Sequence, residues 1–207
     1  MPVDDELNIE TNPDLDQHFL SNPAKLALVI EAAGIRPTDR VVEVGAGIGT
    51  VAEQVPSCQS LTVIEYDAKL TPNLRRRVPH ARVIQGDALT MLPTVRCDVL
   101  LSNLPAKLTA TLAELLPRLE FRVALITVAS IDELSSRNEI SYPPGGTSEP
   151  LSCDDANSAG FVVPFQLLTS LENSFVLETI TILEPADFRP RQAARAEVVR
   201  VRRAETR

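Results

Sequence analysis

The stretch Arg40-Val41-Val42-Glu43-Val44-Gly45-Ala46-Gly47-Ile48-Gly49 decides the fold. Its first half reads as a short, buried β-strand. Its second half is a glycine turn in which Gly45, Gly47 and Gly49 free the backbone to take conformations closed to other residues and to approach a ligand closely. The dinucleotide fingerprint spaces its glycines G-x-G-x-x-G, and here the third glycine comes one residue early.

Working outward, Leu61-Thr62-Val63-Ile64 is a second strand ending at Glu65, twenty residues beyond Gly45. A carboxylate at that strand end is placed to accept hydrogen bonds from both ribose hydroxyls of a nucleoside. A third strand, Ala81-Arg82-Val83-Ile84, leads to Gln85-Gly86-Asp87-Ala88-Leu89. Asp87 is a candidate acceptor for an adenine amino group, with Ala88 or Leu89 packed on the ring. A fourth, Cys97-Asp98-Val99-Leu100-Leu101, runs into Ser102-Asn103-Leu104-Pro105-Ala106. All four features fall at carboxyl ends of successive strands, where open α/β sheets bind ligands. Each has an ordinary alternative: a plain strand-to-helix turn for the glycines, a solvated cap for Glu65, a helix N-cap for Asp87. Their ordered combination points to a cofactor site.

Composition agrees with a globular enzyme: 207 residues, 44% hydrophobic and 23% charged, enough chain for one α/β core. No run approaches the roughly 18 apolar residues of a membrane helix, and the acidic start lacks a signal-peptide layout. Cys58, Cys97 and Cys153 form no C-x-x-C pair, and His18 and His80 are the only histidines. No metal site and a reducing, cytoplasmic setting are therefore expected.

Residues 1–15 read as a flexible acidic arm and 16–207 as the catalytic domain. Asn22-Pro23 opens a helix with a capping side chain and proline at the first turn; Leu26, Val29, Ile30 and Ala33 supply its buried face, and Gly34 ends it. Helix and strand then alternate to about residue 136, which predicts a parallel sheet. Arg75-Arg76-Arg77 belongs at a helix C-terminus, favoured by the dipole. Around 135–160, Pro143-Pro144-Gly145-Gly146 and its polar neighbours predict a long loop, either a lid, a binding loop or disorder. Residues 175–183 and 196–201 read as a closing antiparallel hairpin.

The glycine turn, with its acidic residue two positions ahead, resembles motif I of S-adenosylmethionine-dependent methyltransferases. Together with Gln17-His18-Phe19-Leu20, Glu65, Asp87 and Asn103-Leu104-Pro105, it resembles the ribosomal RNA adenine dimethyltransferases in order and spacing. That family includes the dimethyladenosine transferases and the erythromycin-resistance methylases. Phe188-Arg189-Pro190 followed by Ala196-Glu197-Val198-Val199 is similar to its F-x-P and final strand, so the likeness runs from about residue 16 to 203. The resemblance implies a Rossmann-like class I methyltransferase, with a mostly parallel seven-stranded sheet and an antiparallel last strand. It also implies S-adenosylmethionine as cofactor and S-adenosylhomocysteine as product. Gln17, Glu43, Gly45, Gly47, Gly49, Glu65, Asp87, Ala88 and Asn103 would bind the cofactor. Asn103, Leu104 and Pro105 would carry the chemistry, methylating an amine by in-line displacement, and Ala106 and Phe188 would line the acceptor pocket.

Several features depart from the family pattern. Ala106 stands where an aromatic residue stacks on the extruded base, a contact worth about 1–3 kcal/mol. Residues 128–137 lack the usual Gln-Lys-Glu pattern, and no helical domain follows the catalytic core before Arg207. Net charge is −8, yet residues 188–207 hold seven arginines against Glu197 and Glu205, a local +5 that leaves −13 elsewhere. An acidic surface opposes phosphate binding. Three readings follow: an RNA adenine N6-methyltransferase, a small-molecule methyltransferase derived from that family, and a non-catalytic RNA-binding or assembly factor. The oligomeric state is left open.

Overall fold

The computed structural model describes residues 11–129 and 174–204. The loop expected at 135–160, the first ten residues of the arm and Cys153 lie outside the described residues. Inside the arm, Pro13–Leu15 forms a 3₁₀ turn.

Among the described residues, nine strands and four α-helices follow in chain order: β1 (Phe19–Leu20), α1 (Pro23–Ala33), β2 (Arg40–Val44), β3 (Ser60–Glu65), α2 (Thr71–Arg77), β4 (Arg82–Gln85), α3 (Ala88–Met91), β5 (Val99–Ser102), α4 (Ala106–Leu115), β6 (Val123–Ala129), β7 (Phe175–Leu183), β8 (Phe188–Arg189) and β9 (Ala196–Arg203). Seven strands make one sheet in the order β4-β3-β2-β5-β6-β9-β7. β4 through β6 are parallel neighbours, and β9 runs antiparallel to both β6 and β7. The strand order reverses beside β2, which pairs with β3 on one side and β5 on the other. That reversal opens a crevice at the carboxyl ends of β2 and β5, the switch point of doubly wound sheets.

The apolar runs are continuous because helices cover both faces, and strand alternation divides them into two cores. Val41, Val63, Val99, Leu101 and Leu125 pack with α1 through Leu26, Val29 and Ala33. Val42, Val44, Ile64, Leu100 and Ile126 face Leu112 and Leu116 on the other side. α1 begins as the sequence predicts: the Asn22 side chain accepts from the N–H groups of Ala24 and Lys25, and Gly34 closes the helix in the left-handed region. The three arginines of α2 sit in its last turn.

At the opposite pole, one ion pair aligns three strands. Asp98 accepts from the Arg40 backbone N–H at 2.8 Å and from its guanidinium at 2.7 and 2.8 Å. The Asp98 carbonyl accepts from the Arg122 N–H at 2.9 Å. The β1–β8 pair then fastens the N-terminal segment to the chain before β9. There the Asn22 side chain donates to Asp187 Oδ1 at 2.6 Å, and the N–H groups of Ser21 and Asn22 donate to the Asp187 carbonyl.

The Arg40 guanidinium holds the Asp98 carboxyl down to about 2. A depressed carboxylate contributes stability that is present above its unfolded-state value and lost as pH falls through the folded one. Asp98→Asn is therefore expected to cost about 1 kcal/mol at neutral pH after allowance for solvent screening. Thermal melts from pH 7 down to pH 2 should show the wild-type advantage fading between about pH 4 and 2.

Candidate active site

The glycine turn and the end of β3 are joined by one carboxylate. Glu65 is buried, and its Oε2 accepts from the Gly47 N–H at 2.6 Å while Oε1 accepts from the Asp67 N–H at 2.8 Å. Gly45 and Ala46 donate to the Ile64 carbonyl at 3.0 and 3.3 Å. Glycine is required at the first two turn positions: at Gly45 (φ 67°) a Cβ would meet Leu104 at 2.7 Å, and at Gly47 (φ 55°) it would meet the Phe19 ring at 2.6 Å. The bonds continue outward. Asp67 Oδ2 accepts from Gln17 Nε2 at 2.9 Å, and Gln17 Oε1 accepts from the Asn12 N–H at 2.7 Å. Gln17 thus anchors the N-terminal segment over the crevice.

The crevice holds an open cavity of about 360 Å³. Gln17, Gly45, Gly47, Glu65, Asp87, Ala88, Asn103, Leu104, Pro105, Ala106 and Phe188 all line it, so the structure brings these expected site residues together. Asp87 caps α3, its Oδ1 accepting from the Leu89 N–H at 2.9 Å, and it also lines the cavity. Glu65 likewise keeps lone pairs beyond the two N–H bonds it accepts. Burial raises its pKa, opposed by the hydrogen bonds from Asp67 and Gly47. Asn103 Nδ2 donates to the His18 carbonyl at 3.3 Å, and Ala106 begins α4. Phe188 is only 1% exposed and belongs to the α1-side core, so it closes the wall without offering a free ring face.

Two expected residues are absent from the lining. Gly49 (φ 83°) ends the turn against Leu74, 2.7 Å from where its Cβ would lie. Glu43 sits behind the wall in a smaller cavity of about 10 Å³ that it shares with Ser102, Asn103 and Thr127. The backbone amide of Ala52 opposes, in small part, the effect of burial on the Glu43 carboxyl. Its Oε2 and the Ser102 Oγ are buried with no partner among the described residues, an arrangement that costs about 1–3 kcal/mol for each unsatisfied group.

The sequence reading missed other lining residues. Tyr66, 62% exposed, stands beside Glu65; Lys107 follows Ala106, and Thr127 and Gln192 close the far side. The Glu65-x-Asp67 spacing was a legible signal for the Asp67 bridge to Gln17. Nothing local marks Gln192, which reaches the site only through the β1–β8 pairing. Among the described residues, no group of His, Cys, Asp and Glu could hold a metal ion, and no helix is long and apolar enough to cross a membrane.

This strand order, with β9 inserted antiparallel between β6 and β7, is that of the Rossmann-like class I methyltransferases. The family model for ribosomal RNA adenine dimethylase matches residues 8–130, and the chain belongs to that family. A ribosomal RNA small subunit methyltransferase A from Thermobifida fusca is 31% identical over 147 residues, covering 64% of this chain and 51% of the relative. The protein of the same name from Chlorobium chlorochromatii is 34% identical over 102 residues, covering 46% and 39%. The chain thus spans about half or less of these relatives' length. Among solved structures, a dimethyladenosine transferase from Plasmodium falciparum shares the fold at a TM-score of 0.69 and 19% identity, over 90% of this chain and 64% of that one. The 23S rRNA methyltransferase ErmE shares it at 0.67 and 20% identity, over 90% and 70%.

Burial first, and the nearby Glu65 charge second, push the Glu43 carboxyl up to about 8. A raised carboxyl stays protonated in the folded protein while the unfolded chain ionises, so its contribution is full below about pH 4.5 and lost as pH climbs to 8. Glu43→Gln removes that loss. Paired melts should show the variant gaining on wild type between pH 5 and 8; a constant difference across that range would contradict the assignment.

Proposed function

We propose that this chain is an S-adenosylmethionine-dependent methyltransferase acting on the exocyclic amine of adenine in RNA. The observation that carries the reading is convergence: Glu65, Asp87 and Asn103-Leu104-Pro105, from the ends of three different strands, line one cavity at the sheet's switch point. The residues fit the cofactor. Glu65 has acceptor capacity for ribose hydroxyls, Asp87 Oδ2 for an adenine amine, and Ala88 and Leu89 give that end an apolar wall. Bound there, the cofactor supplies an electrophilic methyl group on a sulfonium.

The chain's own residues then align the acceptor. An adenine amine is a weak nucleophile because its lone pair is delocalised into the ring. In this reading Asn103 Oδ1 and the Leu104 carbonyl accept its two hydrogens, which favours the pyramidal form and aims the lone pair in line. The site works through alignment and fixed dipoles. The N-terminal segment is held at the cavity by Gln17 and by the contact of His18 Nδ1 with the Pro190 carbonyl at 3.0 Å. The relatives' names support RNA as the acceptor class.

Ala106 is the observation that favours a smaller acceptor, because it leaves space where a ring would stack. One experiment separates the two: transfer of labelled methyl to an adenine-containing ribosomal RNA hairpin by wild type and Ala106→Tyr. With RNA as acceptor, the added ring raises turnover or lowers KM, by about 5- to 150-fold for one stacking contact of about 1–3 kcal/mol. Transfer to small amines that the tyrosine abolishes would move the assignment to the second reading. Separately, Asp87→Ala is expected to weaken S-adenosylhomocysteine binding about tenfold or more by calorimetry, and unchanged affinity would remove its role.

A further inference from the structure

Behind the cavity wall lies a small, mostly apolar pocket that no step of the transfer uses and that four polar side chains line, Glu43, Ser102, Asn103 and Thr127. Glu43, 3% exposed, and Ser102, 6% exposed, both open into it. Glu43 Oε2 and Ser102 Oγ are each buried with no hydrogen-bond partner among the described residues. Two such groups facing one cavity are an unusual departure from the rule that buried polar atoms are bonded. The pocket's volume of about 10 Å³ matches the space one water occupies. Asn103 and Thr127 line both this pocket and the large cavity, so the wall between them includes the residue assigned to orient the acceptor.

We propose that this pocket holds one ordered water, and that Glu43 and Ser102 act through it as positioning residues that fix the Asn103 amide with its oxygen toward the acceptor. The inference rests on the reading of Asn103 as the group that accepts the amine hydrogen. An amide can present either oxygen or nitrogen to a ligand, and only the oxygen serves that role. The His18 carbonyl already takes one hydrogen of Asn103 Nδ2. A water on the inner side takes the other, which makes the flipped amide lose two bonds rather than one.

The pocket has the chemistry to seat such a water. Burial and the neighbouring Glu65 keep Glu43 protonated to about 8, so its carboxyl donates. The water then accepts from Glu43 and from Asn103 Nδ2, and donates to Ser102 Oγ. That gives it three partners, the usual number for an internal water. Thr127 is the other polar side chain on the pocket's wall; the rest, including Leu20, Val51 and Leu125, is apolar.

The test has a structural arm and a kinetic arm. An atomic-resolution crystal structure of the full chain is expected to show one water within hydrogen-bond distance of Glu43 Oε2, Ser102 Oγ and Asn103; a dry pocket overturns the proposal. In labelled-methyl transfer to the RNA hairpin, Ser102→Ala and Glu43→Leu should lower kcat roughly 10- to 100-fold, the scale of a small misplacement at a reacting centre. S-adenosylhomocysteine affinity should not follow. Glu43→Gln, which restores a donor at the same place, should recover most of the loss seen with leucine. Turnover that survives Ser102→Ala, or cofactor affinity that falls in step with turnover, also overturns it. If wild type methylates no RNA, the functional reading fails by itself. The crystallographic water, and slowed deuterium exchange of the Asn103 side-chain amide in wild type relative to Ser102→Ala, still decide this inference.

Discussion

One buried carboxylate organises the site. Glu65 reaches from the end of β3 to the turn after β2 and accepts the Gly47 N–H at 2.6 Å, while its second oxygen holds the Asp67 N–H. A charged acceptor on backbone donors in a buried setting is among the stronger hydrogen-bond types. Asp67 then takes the Gln17 side chain, so the same chain of bonds that shapes the turn also seats the N-terminal segment. The crevice is therefore preorganised: the glycine turn, the Glu65 carboxylate and the N-terminal segment share one network. Preorganisation of this kind lowers the ordering cost of binding.

Much of this was legible in the residues. The strands announced themselves as short apolar runs because both sheet faces are covered, and Asn22-Pro23 with Gly34 marked the ends of α1 by side-chain chemistry alone. Strand ends moved by one or two residues: the second strand begins at Ser60, and the fourth starts at Val99 and extends to Ser102. Such shifts reflect ladder hydrogen bonding, which composition does not encode. Asp87 is the N-cap that the ordinary reading expects, with Oδ1 on the Leu89 N–H, and it also lines the cavity.

Less legible were features that depend on tertiary placement. Glu43 stands next to the glycine turn, yet strand alternation sends its side chain into the α1 side of the sheet, behind the wall. Phe188 is consumed by packing because the β1–β8 pair draws it under the N-terminal segment. Glu65, open to reading as a solvated cap, is instead buried by the turn it holds. The charge pattern finds a structural outlet in part: Arg200 is paired with Glu178 across β9 and β7, and the Arg203 guanidinium lies over Phe121 and Phe175.

The chain belongs to the ribosomal RNA adenine dimethylase family, and Glu65, Asp87 and Asn103 line one cavity. The central claim is that this cavity is built for an adenosyl cofactor. Calorimetric titration of the full chain with S-adenosylhomocysteine tests it most directly. The account predicts one-to-one binding with a dissociation constant in the micromolar range, about −8 kcal/mol. Absence of binding at millimolar ligand by a folded protein would contradict it.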